Sequence, residues 1–255
     1  SDPGGMRTRA RKTDRGWVLT GQKLWITSGT DAGLFVVWAR TDDGSSKGTA
    51  GISAFLVRGD APGVVRGKPE HKLGQHGSTT TPLDFNEVEL DADALLGEEG
   101  RGFRVAMMAL DGGRIGIASL ALGVGLAAHE FATKYANERK QFGQPISDYQ
   151  AIQWMIADNA TELEAARMLV LRAAWLKQLG KPFSREASMA KLYASERAFW
   201  VCNRALQMLG GYGYTRDFPI ERYLRDVRVT AIYEGTSEIQ RIVIGRDVVR
   251  QFGGS

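Results

Sequence analysis

The sequence predicts an α+β protein in two parts. Residues 1–97 read as a mostly antiparallel, barrel-like but incomplete β domain, and residues 98–255 as an all-α four-helix bundle. From Trp17 to Leu90, short apolar or alternating segments (WVLTG, KLWITSG, LFVVWAR, GISAFLV, GVVRGK, PLDFNEVEL) are punctuated by Gly, Asp and Ser. Period-two spacing with β-branched and aromatic residues is the pattern of strands, and Asp42-Asp43-Gly44-Ser45 reads as a turn between them. After Gly97-Glu98-Glu99-Gly100 the chain becomes rich in Ala, Leu, Met, Arg and Glu, with apolar residues three and four apart. That period predicts helices at Gly102 to Asn137, Tyr149 to Leu179, Ser184 to Leu209, Ile220 to Arg225 and Ser237 to Gln251. Gly143-Gln144-Pro145, Gly180-Lys181-Pro182 and Gly210-Gly211-Tyr212-Gly213 supply the Gly and Pro that end them.

Composition narrows the classes of function. The 255 residues are 43% hydrophobic and 24% charged, ample to bury a core. Lys plus Arg number 33 against 29 Asp plus Glu, a net charge of +4, too small to mark a nucleic-acid binder. The single Cys202 allows no internal disulfide and no cysteine cage, which suits a reducing compartment. The longest uncharged apolar run, Ile115 to Ala128, is shorter than the roughly 18 residues of a membrane span, so no span is expected. The three histidines, His71, His76 and His129, lack the carboxylate spacing of a di-iron bundle or a structural metal site; no metal is expected. No G-x-S-x-G or Walker loop occurs, and no internal repeat suggests a solenoid. Gly123-Val124-Gly125-Leu126-Ala127-Ala128 matches G-x-G-x-x-A but lies inside a helical run, so it reads as small residues for close helix packing. The start, Ser1-Asp2-Pro3-Gly4-Gly5, resembles neither a native start nor a secretory signal, and the expectation is a piece of a longer protein.

Four stretches are not explained by packing: LWITSG (24–29), ERKQFG (138–143), QMLGGYGY (207–214) and IYEGTSEIQ (232–240). Each falls at an element end or turn, where a rigid scaffold presents side chains to a ligand. In the last, Gly235 permits a sharp turn, and Ser237 with Gln240 reads as a capping box opening the final helix, which leaves Glu234 poised just before a helix N-terminus. Alone, such a glutamate would do no more than complement the helix dipole, worth about 0.3–1 kcal/mol.

Taken together, WITSG, LDGGRIGIA, ERKQFG, QMLGGYGY and YEGTSEIQ, in this order, resemble the acyl-CoA dehydrogenases of the short- and medium-chain type across essentially the whole chain. The resemblance implies an FAD-dependent oxidoreductase of fatty acid β-oxidation. It removes an α-proton and a β-hydride from an acyl-CoA thioester, leaves a trans-2-enoyl-CoA, reduces the flavin at N5 and passes electrons to an electron-transferring flavoprotein. The base it implies is Glu234; the other place some relatives use, next to Arg114, is here Gly113, which cannot act. A thioester α-proton is weakly acidic, so such a base must gain basicity when substrate excludes water, with donors holding the developing enolate oxygen.

The same resemblance implies that Trp25 and Thr27 meet the flavin ring and that Arg139 and Phe142 bind FAD phosphate and adenine. Gln207 and Gly211 hold the diphosphate from a neighbouring subunit, and Thr236 with Glu238 lies at the adenosine end. Glu238 departs from relatives that carry Gln there, and a carboxylate beside phosphate would repel it. Asp111 and Arg114 match the family's pair near the pantetheine and thioester, and Tyr233 and Gly235 its thioester slot. Further expectations are a homotetramer built as a dimer of dimers, residence in bacterial cytoplasm or mitochondrial matrix, and an N-terminal helical domain absent from this chain. Without that domain the chain is expected to bind FAD poorly and turn over little or no substrate. The competing readings are an acyl-CoA oxidase, which hands electrons to oxygen, and a non-catalytic helical assembly module.

Overall fold

The computed structural model describes residues 2–42 and 48–253; Ser1 and the Asp43-Gly44-Ser45 portion of the expected turn lie outside the described residues. Two compact units divide the chain, Ser1–Ala109 and Leu110–Ser255.

The first unit is built on a six-stranded sheet: β1 (Arg9–Lys12), β2 (Gly16–Thr27), β3 (Leu34–Arg40), β4 (Ile52–Arg58), β5 (Val64–Arg66) and β6 (Thr80–Asp91), in the order β4-β3-β1-β2-β6-β5. All neighbours are antiparallel except β1 and β3, which meet in parallel at Arg9 and Arg40. Period-two alternation puts Phe35, Val37 and Ala39 of β3 into one buried core with Trp17, Leu19, Phe55, Val57, Leu83 and Phe85, while Leu34 and Val36 are exposed. Trp17 and Phe55 meet edge to face at 5.3 Å. The barrel-like expectation is realised as an open sheet, with β4 and β5 as its edges and no closed barrel among the described residues. The long β2–β6 ladder breaks register between Lys23 and Ile26, a bulge with Trp25 at φ 61°. Bulges of this kind re-aim a side chain, and Trp25 stands exposed.

Five helices follow: α1 (Gly102–Glu138), α2 (Gln150–Gln178), α3 (Ser184–Leu209), the short α4 (Ile220–Val227) and α5 (Ser237–Gln251). The bounds of α3 and α5 coincide with the expected ones, and the others differ by one or two residues. The break at Gly143 is more than a stop: β7 (Lys140–Gln141) and β8 (Gln144–Pro145) form a small hairpin with Phe142 and Gly143 at its tip, both left-handed. The core of the second unit is rich in alanine, with Ala118, Ala121 and Ala128 of α1, Ala166 and Ala173 of α2, and Ala190, Ala194 and Ala198 of α3 all buried. Small side chains let helix axes approach closely, so dispersion contact replaces bulk. By length and composition α1 could cross a bilayer, since it holds an 18-residue window of mean hydropathy 1.5. Its alanines and Leu122 are buried in the bundle, and 33% of that window is buried inside the described structure.

The G-x-G-x-x-A motif sits in this interface. A Cβ on Gly125 would lie 2.8 Å from Leu163 Cδ2 and 3.2 Å from Ala198 Cβ, whereas one on Gly123 would meet nothing within 4 Å. Gly125→Ala is therefore expected to lower stability by roughly 1–3 kcal/mol through overpacking. Gly123→Ala is expected to raise it by about 0.5–1 kcal/mol through helix propensity. Denaturant unfolding followed by circular dichroism tests both; equal effects of the two substitutions would contradict this packing role.

Candidate functional site

The turn into α5 is held by three contacts. Glu234 and Gly235 are both left-handed, at φ 55° and φ 88°; for a non-glycine residue that conformation costs about 1–3 kcal/mol and persists only where the surroundings impose it. Here two donors converge on one carbonyl: the Gly235 oxygen accepts from Lys191 Nζ at 2.7 Å and from Gln240 Nε2 at 2.9 Å. Gln240 Nε2 also reaches the Glu234 oxygen at 3.4 Å. Both side chains are fully buried, one from α3 and one from α5. The expected Ser237–Gln240 capping box is corrected. The N-cap is Thr236, extended at ψ 163°, whose hydroxyl oxygen accepts the Ile239 N–H at 3.3 Å. Ser237 is already helical, and the Gln240 amide is committed to the turn's carbonyls, which is why neither caps.

Glu234 extends to α1. A Cβ placed on Gly113 would fall 2.8 Å from Glu234 Oε2 and 3.3 Å from its Cδ. The carboxylate therefore occupies the space beside Gly113, and the two positions at which the sequence looked for a base converge on one point. Burial raises the Glu234 carboxyl above the ordinary carboxylate range, while the positive charges of Arg114 and Lys191 oppose that rise. Arg114 is itself buried. It donates to Asp111 Oδ1 at 2.8 Å and to Ser188 Oγ at 3.4 Å, and Ser184 Oγ donates to the same Asp111 oxygen at 2.9 Å. The Asp111–Arg114 pair is thus more than an intrahelical ion pair, because it ties α1 to the first turns of α3.

Lys191 was not legible as a site residue. Burial, and after it the charge of Arg114, lowers its ammonium to about 8, against the pull of Glu234, Glu238 and Glu196. The available signal was a lysine at the position where Ala187, Ala194 and Ala198 mark the buried face of α3, since lysine is almost never fully buried without a partner.

Three other predicted residues share a cavity of about 500 Å³: Arg139, Gln207 and Gly211 line it together with Tyr135, Gly210 and Tyr212. The Arg139 guanidinium lies over the Tyr212 ring at 5.7 Å and forms no ion pair with a carboxylate among the described residues. A guanidinium, a primary amide and a glycine turn whose Gly210 is left-handed at φ 59° are donors that suit an anionic group such as a diphosphate. The residues present therefore fit the phosphate part of FAD. Phe142 does not line this cavity; it is almost wholly exposed at the hairpin tip, edge-on to Tyr149 at 6.4 Å. Thr236 and Glu238 line a separate cavity of about 350 Å³ with Glu196, Phe199 and Arg228. The Glu238 carboxyl is held below its usual range by its own backbone N–H and then by the Thr236 hydroxyl. Tyr233 follows the short turn after α4, its N–H donating to the Val229 oxygen at 3.1 Å. In the strand-rich unit, Trp25 occupies the β2 bulge and Thr27 the end of β2, paired with Thr80, both exposed. No cluster of three metal-ligating side chains occurs among the described residues.

The raised Glu234 carboxyl has a consequence for stability. Between the ordinary value of 4.5 and the raised one, the folded chain keeps a proton that the unfolded chain has lost. The Glu234 contribution is therefore full below 4.5 and falls as pH rises through the folded value. Because Gln does not titrate, the stability of Glu234→Gln relative to the parent is expected to shift in favour of Gln between about pH 4 and pH 7. Urea unfolding at the two pH values measures this; a pH-independent difference would contradict the burial argument.

Residues 1–88 match the acyl-CoA dehydrogenase middle domain and residues 100–249 the acyl-CoA dehydrogenase C-terminal domain. The mitochondrial short-chain specific acyl-CoA dehydrogenase of Bos taurus is 50% identical over 252 residues, covering 99% of this chain and 61% of that protein. The structure of butyryl-CoA dehydrogenase from Megasphaera elsdenii superposes with a TM-score of 0.94 at 44% identity, covering 98% of this chain and 67% of that one. A chain in the structural work on the electron transferring flavoprotein of Acidaminococcus fermentans superposes with a TM-score of 0.95 at 48% identity, over 97% of this chain and 64% of that one. The chain thus spans about three fifths of the length of the bovine relative, and by both domain matches it belongs to the acyl-CoA dehydrogenase family.

Proposed function

We propose that the protein carrying these two domains, with their boundary at residues 97/98, performs FAD-dependent α,β-dehydrogenation of an acyl-CoA thioester to the trans-2-enoyl-CoA, with Glu234 as the α-proton base. The observation that carries the reading is the Glu234 carboxylate beside Gly113: half-buried, raised by its surroundings and faced by Arg114 and Lys191. A buried carboxylate that stays chargeable is what abstraction of a weak carbon acid requires, since burial raises its basicity while nearby cations keep the ionised form accessible. When bound, FAD supplies the acceptor for the β-hydrogen, taken as hydride at N5.

The chain's own residues do the rest. The Glu234 turn holds the base against its substrate, with Tyr233 and Gly235 lining the thioester slot and Asp111–Arg114 fixing the α1 wall beside it. The Glu234 backbone N–H is the donor to the enolate oxygen; a single donor of this kind contributes about 10²–10³ in rate. Arg139 and Phe142 bind FAD phosphate and adenine, Gln207 and Gly211 hold the diphosphate from a neighbouring subunit, and Trp25 and Thr27 meet the flavin ring. Thr236 and Glu238 take the adenosine end through backbone or ribose contacts, because the lowered Glu238 carboxyl is unsuited to phosphate. Electrons leave to an electron-transferring flavoprotein, the protein named in the Acidaminococcus study. The assembly is a homotetramer, and mitochondrial matrix and bacterial cytoplasm are both compatible with its relatives.

The test uses a polypeptide of full family length containing this chain. Glu234→Gln is expected to retain FAD and to slow anaerobic bleaching of the flavin by butyryl-CoA about 10²–10⁴-fold. Unchanged bleaching would overturn the assignment of the base, and rapid reoxidation by oxygen in place of the electron-transferring flavoprotein would make the protein an oxidase.

A further inference from the structure

We propose that Lys191 is a positioning residue for Glu234. From α3 its ammonium grips the Gly235 carbonyl, fixing the left-handed turn that aims the glutamate at Gly113, and it is one of the two cations that face that carboxylate. The proposal rests on the reading of Glu234 as the base and adds a residue to it.

Three observations carry this. First, Lys191 is fully buried about two turns into α3, with its Nζ 2.7 Å from the Gly235 oxygen. A buried ammonium is costly unless paired, and this one is spent on a carbonyl of the base's own turn. Second, two consecutive left-handed residues must be held by something; Lys191 and Gln240 supply the donors, and only Lys191 supplies charge. Third, charged groups from α1, α3, the turn and α5 act electrostatically on Lys191. They are Arg114 from α1, Glu196 from α3, Glu234 from the turn and Glu238 from α5. Arg114 is already committed to Asp111 and Ser188, which leaves Lys191 as the cation that belongs to the turn. A neutral side chain at 191 could complete the hydrogen bond but could not stabilise the ionised glutamate; a charge held elsewhere could do the reverse.

The two roles separate in one experiment on the 255-residue chain, with neither flavin nor acyl-CoA present. The Glu234 carboxyl, labelled with ¹³C and assigned by loss of its signal in Glu234→Gln, is titrated in the parent, in Lys191→Met and in Gln240→Met. Lys191→Met is expected to move the Glu234 midpoint upward, because an opposing cation is gone. Gln240→Met, which removes a donor of the same carbonyl but no charge, is expected to leave it in place. If Lys191→Met does not fold, the reciprocal measurement reads the same coupling: the Lys191 ammonium, followed by ¹⁵N, is expected to titrate lower in Glu234→Gln than in the parent. A Glu234 midpoint unmoved in folded Lys191→Met, or a Lys191 midpoint unmoved in Glu234→Gln, would overturn the proposal. Either result leaves the flavin-bleaching test of Glu234 untouched, so a failure here is distinguishable from a failure of the base assignment.

Discussion

A single carbonyl oxygen carries the candidate site. The Gly235 oxygen accepts from a buried ammonium and a buried amide, and those two bonds tie the residue that follows the glutamate to α3 and α5. Net hydrogen bonds to charged donors contribute about 1.5–3 kcal/mol and neutral ones about 1 kcal/mol, the same order as the cost of a left-handed non-glycine residue. The turn is thus held in a conformation that Glu234 would not adopt alone, and the cost is met by α3 and α5 rather than by the turn. Because both donors are buried, water cannot substitute for them.

The bundle explains why such a clamp is available. An alanine-rich interface keeps α1 close to its neighbours, close enough that Gly125 leaves no room for a methyl group, and interiors packed to this density transmit displacement instead of absorbing it. Gly113 and Gly125 lie on the same helix and serve different ends: one leaves room for a carboxylate, the other for a leucine. The Asp111–Arg114 pair, bonded to Ser184 and Ser188, fixes the start of α3 against α1 and with it the origin of the helix on which Lys191 stands. A left-handed glutamate and a buried ammonium thus meet at one turn, the kind of locally unfavourable arrangement that clusters at functional sites.

Much of this was legible in the residues. The periodicity located all five helices, because long amphipathic segments with Gly and Pro breaks leave little ambiguity, and the motifs around 138–143, 207–214 and 232–240 located the candidate residues. Local signals failed where tertiary contacts decide. Ser237 and Gln240 have the spacing of a capping box, yet the left-handed Gly235 moves the cap to Thr236 and frees Gln240 to turn back. Lys191 has no motif; its role exists only because α3 runs beside the turn into α5, a long-range relation that no local window contains. The incomplete, mostly antiparallel β domain was legible from strand count and alternation, which specify faces; the strand order β4-β3-β1-β2-β6-β5, an open sheet, is set by pairings between distant segments.

The central claim is that Glu234 removes the proton adjacent to the thioester carbonyl. The most direct measurement isolates that step from hydride transfer, using an acyl-CoA in which the β-carbon is replaced by sulfur. The full-length, flavin-loaded protein is incubated with it in D₂O, and loss of the C2 proton signal is followed by NMR. The account predicts exchange at C2 with Glu234 in place and none above the solution background with Glu234→Gln. Exchange that survives the substitution would show that another group is the base, and would contradict it.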